Sequence, residues 1–169
     1  LIEFPVNHRA AMAKNWIAEN GVLTGAADGG TIGSAKNYEN FELILDWKTE
    51  GEAAMGIRSI PQIALGGKNS GALTGNMLHD NAAPKAAANG PQEWNTMQVK
   101  VVSDRVTVVL NGVTTAENVI LENACNREIP AYAEGQILLI AGNAPLNVRE
   151  MYIRALPATP RFELSEEEA

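Results

Sequence analysis

The chain has 169 residues and a formal net charge of -7, and it contains a single cysteine. A domain of this length can bury enough apolar surface to fold without disulfides or a structural metal, and one cysteine cannot form an intrachain disulfide. Nucleic acid is disfavoured as a partner, because the 13 Lys and Arg residues are scattered and phosphate binding needs clustered cations. No apolar run approaches the roughly 20 residues of a membrane-spanning helix.

The N-terminal segment predicts the one helical turn of the chain. Residues 10–17 contain several Ala, and Asn15, Asn20 and Gly21 would end a short helix there. The sequence begins at Leu1 and does not start with a basic and apolar leader. We expect either that a leader was removed or that the chain was shortened.

Residues 41–47 have the period-2 pattern of a half-buried strand, with Phe41, Leu43, Leu45 and Trp47 on one face. The same alternation over 97–101 and 106–110 predicts a meander of three antiparallel strands within 94–120. The pair Asn111-Gly112 is typical of a type I′ hairpin, because both residues tolerate a positive φ.

Two further runs, 137–141 and 148–156, predict another β pair joined by a turn at 142–145. The stretch 66–91 is rich in Gly, Asn, Ala and Pro and has no sustained period. It predicts a long excursion over one face, as in a binding loop, and an insertion without a role is the alternative. Residues 157–169 predict an extended strap with an acidic end.

Many short strands separated by Gly, Asn and Pro are typical of a sandwich or barrel. We therefore predict an all-β fold, a two-sheet antiparallel jelly-roll sandwich. A single domain is predicted over residues 1–156, followed by the strap.

The order and spacing of several segments resemble a known family. The segments are 16–23 (WIAENGVL), 38–47 (YENFELILDW), 56–63 (GIRSIPQI), 94–96 (WNT), 104–112 (DRVTVVLNG), 122–130 (ENACNREIP) and 135–156, which ends VREMYIRAL. Together they are similar to the 3-keto-disaccharide hydrolase domain family, which is common in secreted and lipoprotein products of Bacteroidetes. The resemblance covers about residues 16–156.

This resemblance implies a concanavalin A-like fold whose concave sheet presents polar and aromatic side chains to a sugar. It also implies an extracytoplasmic location and activity on glycosides oxidised at the C3 of the sugar. A 3-keto group makes the neighbouring C2–H acidic, so a base can remove that proton and expel the glycosidic oxygen. The developing enolate then needs a cation or hydrogen-bond donors.

The chain departs from the family at positions where polar or aromatic groups are expected. Where relatives often carry a second Gln, a Trp and an Asp, this chain has Ala64, Gly66 and Gly67. Where they often carry Trp-Asp-Arg, it has Cys125, Asn126 and Arg127. Near the end, where they tend to carry Glu, Gln and His, it has Leu138, Ile140 and Gly142. The substitutions remove a base or metal ligand, a proton carrier and a stacking surface. They predict a site that is rebuilt or lost.

Five residues are candidates for substrate binding, because guanidinium and amide groups hydrogen-bond to sugar oxygens. They are Arg58, Gln62, Asn126, Arg127 and Arg149. The alternatives are a surface ion pair for Arg58 and a loop anchor for Arg127. For Arg149 a structural ion pair is the favoured interpretation.

Three residues are candidates for catalysis. Glu122 is a carboxylate that could act as a base or metal ligand, with a solvated strand end as the alternative. His79 and Asp80 lie in the stretch 66–91 and could close over the site, with a solvated loop as the alternative. No motif indicates a cofactor, and a divalent cation held by loop oxygens is left open without named ligands.

The aromatic and sulfur side chains favour structural roles. For Trp16, Trp47 and Trp94 we predict core packing in preference to sugar stacking. Cys125 is expected to be a buried small hydrophobe, because the chain has only two His residues to serve a thiol nucleophile.

Two functions from different classes follow from these observations. The first is a hydrolase or lyase that acts on 3-keto-disaccharides or related glycosides. The second is a saccharide-binding or structural module that kept the fold and lost the chemistry. A saccharide is the expected partner of the enzyme and of the binding module.

Overall fold

The computed structural model describes residues 15–58, 61–74, 87–123 and 125–160; Asn15 is helical, and every other regular element within these ranges is a β-strand. The strands pair antiparallel throughout and form two sheets. Within the same ranges no helix is long and apolar enough to cross a membrane.

One sheet has seven strands, in the spatial order β1 (Trp16–Glu19), β2 (Val22–Gly25), β12 (Leu146–Ala155), β4 (Phe41–Thr49), β8 (Asn95–Val102), β9 (Arg105–Leu110) and β10 (Val113–Ile120). The other has five, in the order β3 (Gly30–Gly33), β11 (Leu138–Ala141), β5 (Glu52–Gly56), β6 (Gln62–Gly66) and β7 (Leu73–Thr74). Both strand numbers are those of the residues that the structure describes.

The core lies between the two sheets and is built from the inward residues of each strand. On β4 the buried residues are Phe41, Leu43, Leu45 and Trp47, in agreement with the predicted alternation. Met55, Ile63 and Leu139 meet them from the five-stranded sheet and are also fully buried. Each such side chain stabilises the fold by about 1.5–3 kcal/mol relative to exposure.

The predicted meander is confirmed. Strand β8 pairs with β9 and β9 with β10, and Asn111 and Gly112 have φ of 50° and 79° at the second turn. The Asn111 side chain also fixes the neighbouring chain, since its Nδ2 donates to the carbonyl of Ala87 and to Asn95 Oδ1.

The helical turn predicted over residues 10–17 is helical at Asn15, one of the residues expected to end it, but the prediction is wrong for residues 16 and 17. Residues 16–19 form β1, and Asn20 and Gly21 form the turn of a hairpin with φ of 51° and 76°. The pair Asn20-Gly21 is thus a hairpin signal of the same kind as Asn111-Gly112. Residues 10–14 of the predicted helix lie outside the described residues.

The predicted pairing of the last two strands is also wrong. Both strands exist, but β11 pairs with β3 and β5 whereas β12 pairs with β2 and β4 in the other sheet. Their connection therefore crosses from one sheet to the other at a corner of the sandwich. Asn143 secures this corner, because its Oδ1 accepts a hydrogen bond from the backbone N–H of Glu52.

The irregular stretch 66–91 contains one short strand, β7, which pairs with β6. Residues 75–86 lie outside the described residues, as do 161–169. The described start of the predicted strap is held by Asn40, whose Nδ2 donates to the Pro157 carbonyl at 2.8 Å and to Thr159 Oγ1 at 3.0 Å.

Candidate functional site

The outward side of the five-stranded sheet carries the positions at which the family resemblance expects polar groups. Because strand residues alternate between faces, the outward set follows from register. It consists of Thr31, Gly33, Glu52, Ala54, Gly56, Gln62, Ala64, Thr74, Leu138 and Ile140. We call this set the five-stranded outer face. Most of its members are small or apolar.

Leu138 lies across the middle of the five-stranded outer face. It stands between Gly33 on β3 and Gly56 on β5 in the register. A Cβ added at Gly33 would lie 3.1 Å from the Leu138 side chain, and one at Gly56 would lie 3.0 Å from it. Gly56 leaves room for the leucine, and Gly33 leaves room for the leucine and for the Gln136 amide, whose Oε1 would also lie 3.1 Å from a Cβ at Gly33. A leucine therefore occupies the space between β3 and β5 on this face.

The glycines at one end of this face are held by close backbone contacts. A Cβ at Gly142 would lie 1.7 Å from the carbonyl oxygen of Glu52, so the present backbone excludes any larger residue there. Gly67 has φ of 67°, and a Cβ at that position would lie 3.0 Å from the Glu52 carboxylate. The Glu52 side chain thus lies beside the position where the family resemblance leads us to expect an Asp.

Arg58 is buried, with 4% of its surface exposed, and its guanidinium binds the protein itself. Its Nε donates to the carbonyl of Glu39 at 3.0 Å, and its terminal nitrogens donate to the carbonyls of Glu39 and Ser103 and to Asn40 Oδ1. Burial lowers the pKa of Arg58, while Glu39 and Asp104 oppose that shift. The Arg58 guanidinium is thus surrounded by backbone and amide oxygens, and not by the partners of the surface ion pair that was the alternative prediction.

The other predicted binding residues do not converge on one face. Gln62 lies on the five-stranded outer face, opposite Gly56 and Thr74. Arg149 lies on the outward side of the other sheet, where its Nε is 3.2 Å from Asp46 Oδ2. Gln62 and Arg149 therefore point away from each other across the sandwich.

Asn126 and Arg127 are exposed in the segment after β10. Asn126 shapes that segment locally, since its Oδ1 accepts from Glu128 N at 3.0 Å. The buried Asn123 organises the same turn by accepting from the backbone of Cys125 and Asn126.

Among the predicted catalytic residues, Glu122 is half-buried just after β10. His79 and Asp80 lie outside the described residues. Within the described ranges no three His, Cys, Asp or Glu side chains come together in a way that could hold a metal ion.

The predicted burial of the tryptophans is confirmed for two of the three. Trp47 is a core residue, and Trp16 packs so closely on Gly25 that a Cβ there would lie 2.6 Å from its ring. Trp94 is only half-buried, with Arg149 Cζ 3.9 Å and Lys48 Nζ 4.8 Å from its ring centroid. Cys125 is exposed, so its predicted burial is wrong.

The outward side of the seven-stranded sheet carries a regular grid of polar side chains on β12, β4, β8 and β9. Its first row is Arg154, Glu42, Lys100 and Thr107; its second is Tyr152, Ile44, Gln98 and Val109; its third is Arg149, Asp46 and Thr96. We call these three rows the seven-stranded outer face.

The first two rows line a depression of about 480 Å³. Tyr152 and Ile44 supply exposed apolar surface, with 49% and 37% of each residue accessible, and Gln98 supplies an amide beside them. The Tyr152 hydroxyl donates to Glu150 Oε2 at 2.9 Å, which raises the pKa of the phenol. The depression thus combines the flat ring of Tyr152 with hydrogen-bond donors and acceptors.

Ion pairs surround this depression. Glu42 accepts from Arg154 and lies 3.6 Å from Lys100 Nζ. The hydrogen bond from Arg154 holds the pKa of Glu42 below its ordinary value, and the charges of Arg154 and Lys100 act in the same direction. Sequence reasoning did not propose these residues, although their outward alternation with buried residues is visible in 42–48 and 96–100.

The comparisons with known proteins agree with this architecture. The sequence profile of the 3-keto-alpha-glucoside-1,2-lyase-like domain matches residues 5–154. The chain belongs to this family, and the resemblance seen in its segments is confirmed. No protein of curated function matches the chain.

Three solved structures are similar to the chain. Two are proteins of Parabacteroides distasonis proposed to be glycosyl hydrolases, at 24% and 18% identity, each with a TM-score of 0.66 over 85% of this chain, covering 91% and 84% of theirs. The third is the carbohydrate binding module CBM66 from Bacillus subtilis, at 15% identity and a TM-score of 0.56 over 83% of this chain and 91% of that one. The predicted jelly-roll sandwich is confirmed.

Proposed function

We propose that this domain is a saccharide-binding module that acts outside the cytoplasm and has given up the chemistry of its family. The observation that carries the proposal is the position of Leu138 over Gly33 and Gly56, at the centre of the five-stranded outer face. Proton abstraction needs a base within reach of the substrate. Among the outward residues described on that face, Glu52 at one end is the one ionisable side chain.

The seven-stranded outer face carries the two kinds of group that bind a saccharide, a flat apolar surface and hydrogen-bonding side chains. A sugar ring presents apolar C–H groups on its faces and hydroxyls around its edge. Tyr152 provides a flat surface for the former, and Gln98 with Thr107 provides donors and acceptors for the latter. The expected extracytoplasmic location would bring such a module into contact with polysaccharide.

Calorimetric titration with neutral and acidic oligosaccharides tests the binding proposal. We expect Tyr152→Ala to weaken binding by about tenfold or more, because the stacking surface is lost. Tyr132→Ala is the matched control, since Tyr132 is exposed to 48% against 49% for Tyr152 but lies in the segment after β10. Equal losses in both variants, or no binding at millimolar concentration, would contradict the proposal.

The second candidate function is the lyase chemistry that the family name describes. It is favoured by Glu52, whose carboxylate lies beside Gly67 and could replace the Asp of relatives as a base. In this alternative, Glu52 would remove the C2 proton of a 3-keto-glycoside, a C1=C2 double bond would form as the C1–O bond breaks, and the leaving oxygen would take a proton from water to give the free alcohol.

A product assay separates the two functions. The protein is incubated with a 3-keto-glucoside, with and without divalent cations, beside an active relative. Release of the free alcohol together with the 1,2-unsaturated 3-keto sugar, which disappears in Glu52→Gln but persists in Glu19→Gln, would establish the lyase. No release, with saccharide binding intact, is the result expected for a binding module.

A further inference from the structure

The depression on the seven-stranded outer face has a local charge opposite to that of the whole chain. Its charged lining residues are Glu42, Lys100 and Arg154, so one carboxylate faces two cations. Both cations contact the same Glu42 side chain. One positive charge is therefore unbalanced within the depression, on a chain whose net charge is -7.

The two cations are accessible to a ligand. The side chains of Lys100 and Arg154 are exposed to 57% and 73%, respectively. They flank Glu42 in the register, one on β8 and one on β12, so a ligand anion above the row can approach both. A guanidinium and an ammonium together favour a carboxylate, and Arg can hold it with two parallel hydrogen bonds.

The neighbouring charges lie outside the first row. In the third row Arg149 and Asp46 form a pair of their own, 3.2 Å apart. Glu150 accepts the Tyr152 hydroxyl, so its carboxylate lies at the edge of the depression beside the ring, but Glu150 is not one of the lining residues. Glu42 itself is held in the ionised form by its partners and neutralises one of the two cations.

We infer that the preferred ligand is an acidic saccharide, a chain that contains uronic acid residues. This inference rests on the proposed saccharide binding and deepens it. Rows on one face of a strand are two residues, or about 7 Å, apart. A sugar ring over Tyr152 and Ile44 in the second row would therefore place a carboxylate substituent over Arg154 and Lys100 in the first row.

The experiment compares oligosaccharides of equal length that contain either glucose or glucuronic acid, and a second pair that contains galactose or galacturonic acid. We expect at least one acidic member to bind about fivefold or more tightly than its neutral counterpart at low salt, and the advantage to shrink as ionic strength rises. The double variant Lys100→Gln/Arg154→Gln should weaken binding of the acidic member more than that of its neutral counterpart, so that the ratio of the two affinities approaches one.

The control is Lys36→Gln/Lys68→Gln, which lowers the net charge equally at exposed positions outside the depression. If it abolishes the preference as well, the effect comes from overall charge and the inference is wrong. Equal affinity for acidic and neutral sugars would overturn the inference and leave saccharide binding standing. Absence of binding to every sugar would overturn both.

Discussion

The two outer faces of the sandwich differ more from each other than the two inner faces do. Inward, both sheets present buried apolar residues, mostly aliphatic, and the seven-stranded sheet adds Trp16, Phe41 and Trp47. Outward, the five-stranded sheet shows Leu138 and Ile140 among glycines and alanines, whereas the seven-stranded sheet shows ion pairs, an amide and an exposed tyrosine. Folding thus constrains the inner faces alike and leaves the outer faces free to diverge.

This difference indicates how a family member can change its ligand without changing its fold. Replacing outward polar residues by small or apolar ones removes chemistry but leaves the strand alternation and the core in place. A polar grid on the opposite sheet can then serve recognition. Family membership fixes the architecture of this chain and leaves its ligand to be read from the side chains present.

The largest effect is expected from the residue that belongs to neither face. Arg58→Met should lower the free energy of unfolding by about 2–4 kcal/mol, because it leaves the carbonyls of Glu39 and Ser103 without their buried donor. Urea unfolding followed by circular dichroism measures the loss. Arg127→Met, an exposed control, should stay within about 0.5 kcal/mol.

A stable Arg58→Met protein would return Arg58 to the set of ligand-binding candidates. In that case its guanidinium would be free to turn toward the cavity that it lines with Asp104 and Ser103. The end of the sandwich would then be a third candidate surface for ligand binding, beside the two outer faces.

A smaller effect is expected where the five-stranded outer face meets the corner between the sheets. Gly142→Ala should destabilise the protein by about 1–3 kcal/mol, because the new Cβ would overlap the Glu52 carbonyl and force the backbone apart. Ile140→Gln, which restores a residue of relatives on the half-exposed face, should change stability by less than about 1 kcal/mol. Both are measured by thermal unfolding.

The stability of Gly142→Ala shows whether the polar groups expected from the family can be restored at this end of the five-stranded outer face. If Gly142→Ala is neutral, the corner can widen, and the His of relatives could be restored by one substitution. If it is destabilising as expected, the loss of the family's polar groups is built into the backbone of this chain. Restoring the chemistry would then require changes on β5 as well.

The sequence predicted the strands but not all of their partners. Alternation is a local signal, so it identified β4, β8 and β9 and the inward side of each. Pairing across sheets is a long-range property: β11 and β12 look like a hairpin in sequence, but each pairs in a different sheet. The hairpin at Asn20-Gly21 was predictable from the same signal that identified Asn111-Gly112.

The candidate site was less predictable for a physical reason. Family positions identified Gln62 and Arg149, and the register shows that they lie on opposite faces. The depression depends on which strands are neighbours, since Tyr152, Ile44 and Gln98 come from three separate segments. Without the strand order, their outward alternation indicates only a solvated face.

The smallest effect concerns the acid titration of the seven-stranded outer face. The hydrogen bond from Arg154 lowers the pKa of Glu42 in the folded protein below that of the unfolded chain. The stabilisation from Glu42 is therefore complete above the unfolded pKa and is lost as pH falls through the lower, folded pKa. Carboxyl resonances followed by NMR should show Glu42 titrating below the ordinary pH range of a Glu carboxyl.

In Arg154→Gln the Glu42 pKa should move upward, and only part of the shift should remain, because Lys100 still acts on the carboxylate. Lys100→Gln should move it less, since the Arg154 hydrogen bond is the larger cause. An unchanged Glu42 titration in both variants would mean that the first row is not paired in solution. The charge of the depression would then differ from the one that favours an acidic sugar.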